Sequence, residues 1–127
     1  MLPSKEAAKT ALRRAGLFPA ARSLTRRMSR EVQAGLAADR RLYGRFIRSG
    51  DLVYDVGVDL GQKSEIFLAL GARVVGVEPN PLCTPTLRWL FGRDPRFHLV
   101  PKAVGDRLGR MQLNVPGDQP PSGRAQC

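Results

Sequence analysis

Cysteine and histidine are nearly missing: two cysteines, Cys83 and Cys127, and one histidine, His98, stand in 127 residues. No ligand set with zinc spacing can be assembled from them, and no disulfide framework exists, so a reducing compartment is the natural setting. There is also no uninterrupted apolar run of signal-peptide or membrane-spanning length. A cytoplasmic location is therefore expected, although an Arg-rich, Ser-containing, acid-poor leader also resembles an organellar transit peptide. Acidic residues are scarce at one end only. Residues 1–50 carry 12 Lys/Arg against 3 Asp/Glu, a net of +9, whereas residues 51–127 carry 9 against 8, a net of +1. The basicity thus belongs to the leader, where it reads as a solvated helical surface that can also attract phosphate polymers or anionic lipid.

The length suits one domain with a real core. The expected fold class is α/β: a parallel βαβαβ core preceded by a basic helical leader. Three regions follow from the pattern: 1–48, the basic helical leader; 49–115, the α/β region; and 116–127, PGDQPPSGRAQC, with three prolines, two glycines and no apolar pattern, expected to be a mobile tail or a cut end.

In the leader, residues 4–16 predict a helix with Ser4 as N-cap and Glu6 in its first turn, ended by Gly16 and Pro19. From Ala20 to Leu36, Leu24, Met28, Val32 and Leu36 recur every four residues among arginines, an apolar stripe on a basic helix. A further stretch from Asp39 to Arg48 places Leu42, Tyr43, Phe46 and Ile47 on one side. Such stripes more often pack on the parent domain than face a membrane or nucleic acid.

Beyond Ser49-Gly50-Asp51 the chain reads as an apolar strand (Leu52, Val53, Tyr54, Val56), a glycine turn, a helix from Gln62 to Leu70 capped by Gly71, and a second strand from Arg73 to Glu78. The next helix starts at Asn80-Pro81 or at Thr84-Pro85; the second is preferred, because Pro85 lacks an N–H and would fall too deep in a helix begun earlier. Phe97 to Val100 predicts a third strand and Met111 to Val115 a fourth, with a hairpin link to its neighbour one option.

Gly57 and Gly61 let the backbone turn tightly, and Glu78 lies 21 residues beyond Gly57. In βαβ cofactor sites an acid at about that distance accepts hydrogen bonds from ribose hydroxyls. Dinucleotide sites, however, use G-x-G-x-x-G, and Gly57-Val58-Asp59-Leu60-Gly61 lacks the central glycine, which disfavours a pyrophosphate and an NAD-type oxidoreductase. An acid two residues before the first glycine, a second glycine four on and an acid closing the next strand suit S-adenosyl-L-methionine. On that reading Asp55 lies near the cofactor's ammonium and Glu78 takes the ribose hydroxyls, each charge-assisted bond contributing about 1.5 to 3 kcal/mol.

The segment DLVYDVGVDLGQKSEIFLALGARVVGVEPNPLC, followed by LVPKAVGD and GRMQLNV, resembles the first half of the FkbM family of S-adenosylmethionine-dependent methyltransferases over roughly residues 42 to 115. The resemblance implies a Rossmann-type seven-stranded fold, O-methylation of hydroxyls on sugars, glycans or polyketides, and a small-molecule or glycan hydroxyl as acceptor. It puts Asp55, Gly57, Gly61 and Glu78 at the family's cofactor positions, and matches Ala103-Val104-Gly105-Asp106 to an A-V-G-D element bordering the adenine, so that Asp106 joins the cofactor-binding set. It also implies that the later strands and most of the acceptor region are missing after Val115, leaving a sheet with an exposed edge and a tendency to self-associate. The family turn usually reads D-V-G-A-N-x-G; here Val58-Asp59 stiffens it and adds a negative charge that could favour a sulfonium or repel a carboxylate. No residue is assigned as the base. His98 within a strand reads as structural, Cys83 as a small apolar helix residue, Trp89 and Phe91 as packing, and Lys63 as a solvated first-turn residue. Two other classes of function stay open: a noncatalytic fragment or interaction protein, and an anionic-surface or nucleic-acid binder acting through the leader, with nucleic acid the less favoured partner.

Overall fold

The computed structural model describes residues 4–17, 21, 24–25, 29–114 and 124–126. Helix α1 (Lys5–Arg14) starts as its composition predicts, Ser4 Oγ accepting the Ala7 N–H at 3.2 Å. Helix α2 (Arg30–Tyr43) begins behind Ser29, whose side chain accepts from the Val32 N–H. The two expected leader segments after Ala20 are therefore not divided near Asp39: one helix runs from Arg30 through that boundary, and Met28 lies outside the described residues.

Three strands, β1 (Leu52–Val56), β2 (Arg73–Val77) and β3 (Phe97–Val100), form a parallel sheet in the order β1-β2-β3. Helices α3 (Gln62–Ala69) and α4 (Thr84–Phe91) make the two crossovers, so the chain is α/β with a parallel βαβαβ core. Register pairs Tyr54 with Val75 and Val75 with His98, so alternate residues sort onto two faces. Val53, Val74, Phe97 and Leu99 join Ile66 and Phe67 of α3 and Leu87 and Phe91 of α4 in one core. Gly76 belongs to the same face because a Cβ there would strike Phe97 and Val58. Leu36, Tyr43 and Ile47 pack α2 and its following turn against that core, with Tyr43 edge-on to Phe67 at 5.0 Å.

The other face is covered only in part among the described residues, with Val77 buried at the end of β2. Tyr54 is 64 % and Val56 61 % exposed, and Leu52, Arg73 and His98 are exposed beside them. Parallel sheets are ordinarily covered on both sides, and β1 also has no strand on its outer edge among the described residues.

Several local expectations need correction. Leu42 and Phe46 point outward rather than sharing the side of Tyr43 and Ile47, because 100° per residue separates the pairs. Cys83 is the buried N-cap of α4 and not a residue within it; Thr84-Pro85 is the true start, and Asn80 instead closes a turn through Leu82. Trp89 is 73 % exposed, whereas its neighbour Phe91 packs on Phe97 as expected. The fourth strand is β4 (Arg110–Gln112), shorter than expected, and it pairs antiparallel with β5 (Arg124–Gln126) in a separate two-stranded sheet. The region 116–127 thus contains a strand that its lack of apolar pattern hid. No helix among the described residues is long and apolar enough to cross a membrane.

Candidate functional site

The carboxyl end of β1 feeds a five-residue loop into α3, and three of those residues are left-handed: Gly57 at φ +79°, Asp59 at φ +51° and Gly61 at φ +82°. The first two glycines of the motif do different work. A Cβ on Gly57 would meet no atom within 4 Å, so that position needs glycine for its φ alone and leaves the backbone bare. A Cβ on Gly61 would collide with the Phe91 ring, so that glycine lets α3 approach α4. Asp59 is the single described non-glycine residue at positive φ, a conformation that Asp and Asn tolerate best.

Asp55 is the last inward-facing residue of β1 and is only 8 % exposed. Its Oδ2 accepts the Ser64 hydroxyl at 2.7 Å, and Ser64 is wholly buried on the first turn of α3. Asp55 Oδ1 has no partner among the described residues. Since no fully buried polar atom there is left unsatisfied, Oδ1 is the part of the side chain that reaches solvent. Asp55 also lines a hollow of about 180 Å³, together with Val56, Gly57, Asp59, Gln62 and Lys63 among others. The N-cap of α3 is Gly61, which offers no side chain, so the first-turn N–H groups of the helix stay uncapped at the same hollow.

Glu78 stands directly after β2, 7 % exposed. Its Oε2 accepts the Asp59 N–H and its Oε1 the Asn80 N–H, both at 2.8 Å. The carboxylate therefore ties the β1–α3 loop to the segment after β2. Asp59 is held on its side chain too, where Cys83 Sγ donates to Oδ1 at 3.9 Å. Of the five expected cofactor residues, Asp55 and Gly57 line the hollow; Gly61 and Glu78 sit just behind it and shape its loop. Asp106 is apart, in the irregular stretch after β3, strongly exposed and 3.5 Å from Arg107. Among the described residues no three His, Cys, Asp or Glu gather as metal ligands.

The sequence reading missed Ser64, Gln62 and Lys63. The signal for Ser64 was its place one helical turn inside α3, where a small hydroxyl residue can meet a strand-end acid. Lys63 is exposed, as expected, and lines the hollow as well. Chemically, the residues lining the hollow include two carboxylates, Asp55 and Asp59, and one amine, Lys63, beside a helix start with no side-chain cap, a combination suited to a ligand carrying both charges. No known protein family, curated protein or solved structure matches this chain.

Proposed function

We propose that the chain binds S-adenosyl-L-methionine at the β1–α3 hollow and belongs to a methyltransferase of the FkbM type, acting on a hydroxyl of a sugar, glycan or polyketide, with its three-stranded sheet the first part of a Rossmann-type domain. The observation that carries this reading is the buried Asp55, one oxygen of which is fixed by Ser64, lining a hollow that also borders a helix start with no side-chain cap. The methionine end of the cofactor is a zwitterion, and the Asp55 carboxylate suits its ammonium while Lys63 and the first-turn N–H groups suit its carboxylate.

Size supports a division of the ligand. About 180 Å³ is below the roughly 300–1,000 Å³ of pockets that enclose whole small molecules, so the hollow takes the amino-acid end alone. In open α/β sheets the remainder of such a ligand lies outside the carboxyl ends of the strands, where Glu78 follows β2. Each oxygen of Glu78 already accepts one N–H, and a carboxylate oxygen has a second lone pair for a ribose hydroxyl. When bound, the cofactor supplies an electrophilic methyl group on sulfonium sulfur. The chain's contribution is to orient it; His98 projects from the partly covered sheet face and not from the hollow, and no proton acceptor is assigned.

A noncatalytic interaction protein is the second reading, and the exposed Tyr54 and Val56 on a β1 that has no outer neighbour among the described residues favour it. Titration calorimetry with S-adenosyl-L-methionine separates the two. Saturable binding, weakened at least about tenfold by Asp55→Asn, is expected from the loss of a charged hydrogen bond. A cooperatively melting chain that gives no binding heat supports the noncatalytic role instead.

A further inference from the structure

Helix α2 and the turn after it carry five exposed arginines, Arg30, Arg40, Arg41, Arg45 and Arg48, of which Arg40 borders the packed side while Arg41 and Arg45 face outward, and among the described residues no ion pair or hydrogen bond engages any of their guanidinium groups. Glu31 is the one exposed acid on the helix. Beside the arginines stand two apolar side chains exposed among the described residues, Leu42 at 49 % and Phe46 at 70 %. They lie four residues apart. The turn that follows the helix keeps helical spacing, with the Arg45 N–H donating to Leu42 O and the Phe46 N–H to Tyr43 O, so Leu42 and Phe46 share one side and Arg41 and Arg45 the next. The opposite side is already used, since Leu36, Tyr43 and Ile47 are packed on the core.

We propose that this face is a docking surface for an anionic lipid bilayer, with the arginines on headgroup phosphates and Leu42 and Phe46 entering the boundary between headgroups and acyl chains. The charge is complementary, and each basic residue near an anionic surface adds about 1 kcal/mol of attraction, a factor of about five in affinity. A duplex nucleic acid would use the arginines equally, but it gains nothing from an exposed Leu beside them, whereas a bilayer buries both apolar groups. The inference is independent of what the β1–α3 hollow binds.

Flotation of the full chain with phosphatidylcholine vesicles, and with phosphatidylcholine–phosphatidylglycerol vesicles, tests it. Binding to the anionic vesicles alone is expected, released by added salt. It should fall about 30-fold in Arg41→Gln/Arg45→Gln and at least about tenfold in Leu42→Ser/Phe46→Ser. Both variants alter exposed side chains and should keep the wild-type melting temperature and circular dichroism. No flotation, equal flotation with both vesicle types, or flotation indifferent to either variant would overturn the proposal. So would binding of a duplex oligonucleotide that matches the anionic vesicles in strength and survives Leu42→Ser/Phe46→Ser, which would make the face a general phosphate surface.

Discussion

Glu78 Oε2 accepts the backbone N–H of Asp59 at 2.8 Å, joining the residue after β2 to a left-handed residue in the loop after β1. Glu78 Oε1 holds the Asn80 N–H at the same distance. One buried carboxylate thus fixes both loops at the carboxyl end of the sheet before any ligand is present. Glu78→Ala leaves two N–H groups without their acceptor and should cost about 2 to 4 kcal/mol in urea unfolding. Glu78→Gln keeps a single acceptor oxygen and should fall between the variant and the wild type.

The two motif glycines separate conformational need from packing need. Gly57→Ala meets open space and pays only for a left-handed backbone, about 1 to 2 kcal/mol. Gly61→Ala adds a collision with Phe91 to the same backbone term and should lose a further 1 to 3 kcal/mol. Parallel chemical denaturation of the two variants reads the difference directly; equal losses would mean that α3 and α4 can separate freely.

Tyr54 and Val56 leave an apolar strip along a strand edge that is unpaired among the described residues, the condition under which chains associate. Sedimentation velocity should show mass rising with concentration for the wild type. Tyr54→Lys places a charge on the exposed strip at no cost to the core and should return the chain to monomer.

Arg96 grips Asp94 through two hydrogen bonds at 3.0 and 2.8 Å while its Nη1 donates to Leu68 O at 3.0 Å, clamping the entry to β3 onto α3. The hydrogen bond from Arg96 holds the Asp94 carboxyl below its ordinary value of 3.8. A carboxyl depressed in the folded chain adds stability above its unfolded pKa and gives it up as pH falls through the folded one. The wild type should therefore lose stability relative to Asp94→Asn as pH drops below about 4, with a constant difference between pH 5 and 8. Melting temperatures across that range check the sign. The same hydrogen bond to Asp94 raises the pKa of the Arg96 guanidinium, which stays charged throughout this window.

Much of this arrangement was legible in the sequence because periodicity and turn chemistry agree with burial there. Val74 and Val77 with Gly76 in β2, and the β3 run Phe97–Val100, have patterns set by a half-covered parallel sheet. Ser4 and Thr84-Pro85 marked their helix starts by backbone chemistry. What failed depended on contacts distant in sequence. Trp89 sits on the outer side of a two-turn helix, and eight residues are too few for periodicity to fix which side faces the sheet. Leu42 and Tyr43 are adjacent apolar residues, and only docking on Phe67 decides which turns inward. The Asp55–Ser64 bond joins a strand to a helix across the loop, and the left-handed Asp59 is held by Glu78 from 19 residues further along the chain.

The most direct measurement is a titration of the ¹⁵N-labelled chain with S-adenosyl-L-methionine, followed by amide shifts. Saturable shifts concentrated at Gly57, Val58, Asp59, Gln62 and Lys63, abolished by Asp55→Asn in a chain whose other amides keep their positions, are the expected result. A dispersed, folded spectrum that does not move at these amides, or moves only elsewhere, would contradict ligand binding at the β1–α3 hollow.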